Sequence, residues 1–199
     1  MVLGAGGHAQ SCLDVIASTN AFEVFGLVDP GFAAESIRFG HRVIGGDECL
    51  AETRRHCGAA VLAIGQIRSS EPRRRLTAML QQLDFSLPVV TSSSAYVSAD
   101  AEVGFGTIVM HGSVVGPGVA IGSMSIVNSN STIEHGCVLG SFVHVAPGAV
   151  VNGDSRIGSG TFVGSGAVIH HGIDIGSDCL IAAGSIVRQT LPDGTRYAG

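Results

Sequence analysis

Two groups of residues have types and spacings that could do chemistry. The first is Gly4-Ala5-Gly6-Gly7-His8-Ala9, a G-x-G-x-x-A pattern that follows the apolar stub Val2-Leu3. Such glycines let a strand turn tightly into a helix whose N-terminal amides cradle a phosphate, and Asp29 falls about where an acid would meet a ribose. A dinucleotide needs a second mononucleotide half, for which the chain has no room, so the turn is read as a cradle for one nucleotide. The second group is Glu134, His135 and His144, set within two short repeats. A neutral histidine accepts a proton in the physiological range, so an imidazole here could serve as a general base. A positioned base contributes about 10²–10⁴-fold. Cys137 falls at an inward position.

The elements that must position these residues differ between the two halves of the chain. Residues 1–90 alternate strands and helices: a strand at Val2-Leu3, a helix from His8 to Ser18 and a strand from Val24 to Val28. A short helix (Glu48 to Arg55) capped by Asp47 follows, then a strand from Ala59 to Ile64 and a helix from Glu71 to Leu83. That order predicts a half-Rossmann α/β domain, a small parallel sheet with crossover helices. Arginines cluster at Arg54-Arg55 and Arg73-Arg74-Arg75, read as solvated helix faces.

Residues 91–199 follow another rule. Every sixth residue from Val97 to Val187 is aliphatic, sixteen in succession, and a small residue usually follows four positions later. A six-residue period marks a parallel β-helix, in which each aliphatic points to the axis and stacking buries a continuous core. Three hexapeptides per coil put residues eighteen apart above one another. Gly153 then lies against His135 and leaves space beside the imidazole, and Ser165 stacks on Ala183 in a column along which an extended ligand could lie.

Composition excludes several classes. The net charge of −5 argues against a nucleic-acid binder. Mean hydropathy is high at +0.40, yet no run approaches the ~20 apolar residues that span a bilayer. No leader is visible, so the chain is read as cytoplasmic. The five cysteines have no zinc spacing, and no two histidines lie five apart as in the zinc-binding gamma-type carbonic anhydrases, so no metal is expected. His111 and His170-His171 are read as surface or subunit-contact residues.

The whole chain resembles the hexapeptide-repeat sugar O-/N-acyltransferases, typified by sialic-acid O-acetyltransferases and UDP-4-amino-sugar N-acetyltransferases. The resemblance rests on G-A-G-G-H-A, V-D-P, A-I-G-Q-I-R and, most specifically, I-E-H-G-C-V-L-G followed by H-V-A-P-G-A. It implies a left-handed parallel β-helix, a homotrimer, acetyl-CoA bound between adjacent β-helices and a nucleotide sugar held by the N-terminal domain. It further implies that His135 is the general base and that His144 contacts the thioester carbonyl. Gly153, Ser165 and Ala183 would line the pantetheine arm, and Gly7, His8, Asp29, Ile64 and Gly65 would hold the UDP part. The chain departs from the family at Gly136, where an acid usually follows the base; Glu134 is the candidate to take over its role. The expected activity is acetyl-CoA-dependent N-acetylation of a UDP-type amino sugar. O-acetylation of a sugar hydroxyl such as that of sialic acid, and a non-catalytic β-helix module, remain as alternatives.

Overall fold

The computed structural model describes all 199 residues. It divides into two compact units: Met1–Gly65 with Glu71–Pro88, and Gln66–Ser70 with Val89–Gly199.

The first unit is an α/β sandwich around a five-stranded sheet. Its elements are β1 (Val2–Leu3), α1 (Gly7–Thr19), β2 (Leu27–Val28), β3 (Ile37–Arg38), β4 (His41–Gly45), α2 (Leu50–Thr53), β5 (Val61–Leu62) and α3 (Glu71–Gln82). The sheet order is β3-β4-β2-β1-β5, parallel except for the β3–β4 hairpin. That hairpin carries no strong sequence signal, because its two-residue turn is Phe39-Gly40. Both residues take positive φ (49° and 80°), which a type I′ turn requires but phenylalanine seldom supplies. Helix α1 buries Ala9, Cys12, Leu13, Val15 and Ile16 against the sheet. Gly4 is fixed by its backbone: φ is +112°, and a Cβ there would stand 2.9 Å from the carbonyl oxygen of Ala63.

Two local expectations are corrected in this unit. Asp47 caps no helix. The turn Asp47–Cys49 is capped from Gly46, whose N–H donates to Glu48 Oε1 at 2.8 Å, and Asp47 instead lies 3.6 Å from Arg75. Arg73 is not on a solvated face. It is 1% exposed on the buried stripe of α3 with Leu76, Thr77 and Leu80. Its charge is compensated by donation to the carbonyls of Ile64 (2.6 Å) and Leu62 (3.4 Å).

The second unit is a parallel β-helix of eighteen two-residue strands, β6 (Val90–Thr91) to β23 (Arg196–Tyr197), on three sheets of seven, six and five strands. Stacked strands pair eighteen residues apart, as in Val115 with Ile133 and Val127 with Val145. The aliphatics from Val109 to Val187 form one buried axial core. The small residues after them are also buried, and their hydroxyls join successive coils. Thr161 Oγ1 donates to Gly176 O (2.7 Å) and accepts from Cys179 N (3.0 Å), so no inward polar group is left costly. Glycines after the aliphatics permit coil-to-coil contact; a Cβ on Gly164 would stand 2.5 Å from Ala183 N. The segment Gln66–Ser70 belongs to this unit because Gln66 Nε2 donates to the carbonyls of Phe142 (2.8 Å) and Gly160 (3.0 Å).

Candidate functional site

Strand β13 (Thr132–Ile133) aims Ile133 at the axis, and the next residues, Glu134 and His135, turn the corner on the outside, both exposed. One coil further along lies Gly153, buried under the imidazole: a Cβ there would be 2.5 Å from His135 Cε1 and 2.6 Å from Nε2. The ring therefore occupies space that any other residue at 153 would claim. The carboxylate within ion-pair range of His135 is not that of Glu134. It is that of Asp154, whose Oδ1 lies 3.9 Å from His135 Nδ1, while its Oδ2 lies 3.8 Å from His171 Nε2. Sequence reading missed Asp154 because its partner is nineteen residues away.

His144, unlike His135, is buried. The ring is 6% exposed on β15 (His144–Val145), edge-on to Phe162 with centroids 5.1 Å apart. Its Nδ1 is 2.6 Å from the carbonyl oxygen of Gln66, so Nδ1 carries the hydrogen and Nε2 is left as an acceptor. That acceptor takes a bond from Asn128 Nδ2 at 3.1 Å. The assignment closes on itself, since Asn128 Oδ1 is already fixed as an acceptor of the Ser129 N–H at 2.8 Å. A neutral His144 thus has no N–H to offer an oxyanion. The half-exposed Asn128 has one remaining amide hydrogen, and nothing in the hexapeptide pattern distinguishes it from a corner-turning asparagine.

Ser165 and Ala183 lie exposed on the outside of successive coils, held in one column by donation from Gly184 N to Ser165 O at 2.9 Å. Cys137 is 0% exposed, and burial pushes its thiol up, which removes it as a nucleophile near neutrality.

In the first unit, helix α1 begins at Gly7 with Gly6 as N-cap, no side-chain cap and no acid in its first turn. Gly6 and Gly7 are exposed, and a Cβ at either would meet nothing within 4 Å. Asp29 braces the turn by accepting from Ala5 N at 2.8 Å and from Gly31 N at 2.9 Å. Asp29 and Ile64 line a cavity of about 240 Å³ with Gly4, Asp47, Pro72 and Arg75. Gly7, His8 and Gly65 do not line it; His8 packs beside Gly65, whose Cβ position is 3.8 Å from the ring. Burial, and then the charge of Arg73, lower the His8 pKa to about 4, so this imidazole is neutral near pH 7.

An α/β unit that opens on a glycine turn is thus joined to a parallel β-helix that carries a histidine–carboxylate pair on its corner. Residues 1–80 match the PglD N-terminal domain, and residues 154–189 match the bacterial transferase hexapeptide (six repeats). No curated protein matches the sequence. Among solved structures, the acetyltransferase domain of PglB from Neisseria gonorrhoeae is 31% identical, with a TM-score of 0.90 over 97% of this chain and 92% of that one. The same domain in complex with acetyl coenzyme A is 32% identical with equal coverage. PerB from Caulobacter crescentus, solved with CoA and GDP-perosamine, is 30% identical, with a TM-score of 0.90 over 96% and 89% of the two chains. The chain belongs to the hexapeptide-repeat sugar acetyltransferases.

Proposed function

We propose that the protein transfers an acetyl group from acetyl-CoA to the amine of a UDP-type nucleotide-linked amino sugar, with His135 as general base. The observation that carries this reading is the imidazole of His135, exposed on the β-helix corner over the bare backbone of Gly153, with a carboxylate 3.9 Å from Nδ1. The N–H of the ring faces the carboxylate, and Nε2 is left to take the proton as the amine attacks the thioester carbonyl carbon. The C–S bond then breaks, the thiolate leaves as CoA, and the proton taken by His135 is returned to it.

Asn128, aligned by His144, supplies the N–H for the developing oxyanion. Gly153, Ser165 and Ala183 mark the line of the pantetheine arm. The first unit holds the nucleotide sugar, with Gly7 and His8 at the open helix N-terminus, Asp29 and Ile64 at the cavity and Gly65 beside His8. The family relatives crystallised with acetyl coenzyme A and with CoA and GDP-perosamine support the donor and the amino-sugar class.

The working form is a homotrimer. The outward positions of one β-helix sheet are Tyr96, Val114, Thr132, Val150, Val168 and Ile186, and Tyr96, Val114 and Ile186 are 59%, 37% and 36% exposed. An apolar stripe of that length calls for a covering surface, and His135 stands two residues beyond Ile133 of the same sheet.

The experiment is turnover of UDP-, dTDP-, GDP- and CMP-linked amino sugars and of free sialic acid, read as CoA release. The proposal requires acetylation of the amine with UDP preferred. A strict requirement for a hydroxyl acceptor overturns it.

A further inference from the structure

Residues at the β-helix corners stack in columns eighteen apart. His135, Gly153 and His171 form one column; Gly136, Asp154 and Gly172 form the next. The second column is left-handed throughout, with φ of +66°, +59° and +66°, and the side chain of Asp154 is the one it carries. Across Gly153 the two imidazoles approach to 6.4 Å between centroids. The Asp154 carboxylate reaches both, 3.9 Å from His135 Nδ1 and 3.8 Å from His171 Nε2. It does so by entering the space above Gly136, where a Cβ would overlap Oδ1.

Two other aspartates on the β-helix surface serve the backbone. Asp100, one coil before Gly118, accepts from the Gly118 N–H at 3.2 Å, and Asp193 Oδ1 accepts from Ser177 N at 2.7 Å. Asp154 anchors itself through its own N–H, which donates to His135 O at 2.9 Å, and its carboxylate takes no backbone donor. Glu134, though adjacent to His135 in sequence, is exposed and makes no ion pair with it.

We infer that Asp154 is the positioning residue for His135: it holds the Nδ1–H side of the ring, directs Nε2 outward and stabilises the imidazolium that forms when the base takes its proton. This rests on His135 being the base. The Nδ1 proton stays on the imidazole while Nε2 takes and returns the transferred one, so Asp154 remains a carboxylate. The contact tightens when substrate encloses the pair, as catalytic hydrogen bonds commonly do.

Because Gly136 and Asp154 address one volume from successive coils, the carboxylate can be moved between them. Asp154→Asn keeps the shape and the left-handed backbone, which asparagine tolerates, and removes the charge. It should lower kcat about 10- to 100-fold with KM for both substrates and the thermal midpoint unchanged, whereas Glu134→Gln should leave kcat near wild type. Asp154→Gly should lose kcat similarly, and adding Gly136→Asp to it should restore most of the loss. Gly136→Asp alone sets two carboxylates in one space and should depress activity. A purely structural aspartate would move the melting point rather than kcat and would show no such rescue.

Wild-type kcat in Asp154→Asn, with His135→Ala inactive, overturns the positioning role and leaves the base in place. Wild-type kcat in His135→Ala overturns both.

Discussion

Burial of His8 in the first unit makes the protein acid-sensitive. Its pKa is about 4 in the folded chain against an ordinary 6.5, with desolvation the larger cause and Arg73 the second. Between those values the unfolded chain binds a proton that the folded chain refuses, so stability falls as pH falls from about 6.5 toward 4. The full effect is about 3 kcal/mol by pH 4. His8→Gln should flatten this segment of a urea-midpoint against pH curve, and parallel curves for the two proteins would contradict the assignment. Asn128 offers a second residue-scale test. Asn128→Ala removes the proposed oxyanion donor and should lower kcat about 10²–10³-fold while acetyl-CoA still binds; an unchanged kcat would return the donor role to a backbone N–H. At this scale the sequence was legible by type only. His135 and the glycine turn were readable because their neighbours in the chain carry the pattern. Asp154, Asn128 and the burial of Arg73 were not, because each is defined by a partner remote in sequence: His135 for Asp154, His144 for Asn128, the Ile64 carbonyl for Arg73.

The site depends on the column as an element. Gly153 is the one position between His135 and His171, and its missing side chain sets where the imidazole lies. Gly153→Ala pushes a methyl against Cε1 and Nε2, the atom proposed to take the proton. A displacement of that kind should cost about 10²-fold in kcat with the fold intact by circular dichroism, and retention of full kcat would show that the ring does not work from this position. The β-helix was readable at the element scale because a fixed six-residue period writes its inward face directly into the sequence, from Val109 to Val187. In the α/β unit the strands are only two residues long at β1, β2 and β5, too short for any period to register, so the expected Val24–Val28 and Ala59–Ile64 strands shrink to Leu27–Val28 and Val61–Leu62. The β3–β4 hairpin escaped because β3 is two residues long and a phenylalanine stands in its turn.

For the whole molecule, the division of labour follows from what each unit can offer. The α/β unit has an open helix N-terminus and a cavity but no exposed base beside a carboxylate. The β-helix has the proposed base, the proposed donor and an outward column, and its core is filled with aliphatics. The apolar stripe from Tyr96 to Ile186 assigns one face to neighbouring copies, and sedimentation at micromolar concentration should return the mass of three chains; a monomer at that concentration contradicts the trimer. The central claim is that His135 is the base for acetyl transfer to an amino sugar. It is tested most directly by the steady-state rate of CoA release from acetyl-CoA and UDP-linked amino sugar in wild type and His135→Ala, with acetyl-CoA affinity measured on the same samples. A loss of about 10²–10⁴-fold in kcat with donor binding retained is the predicted result, and a His135→Ala protein that turns over at the wild-type rate would contradict the account.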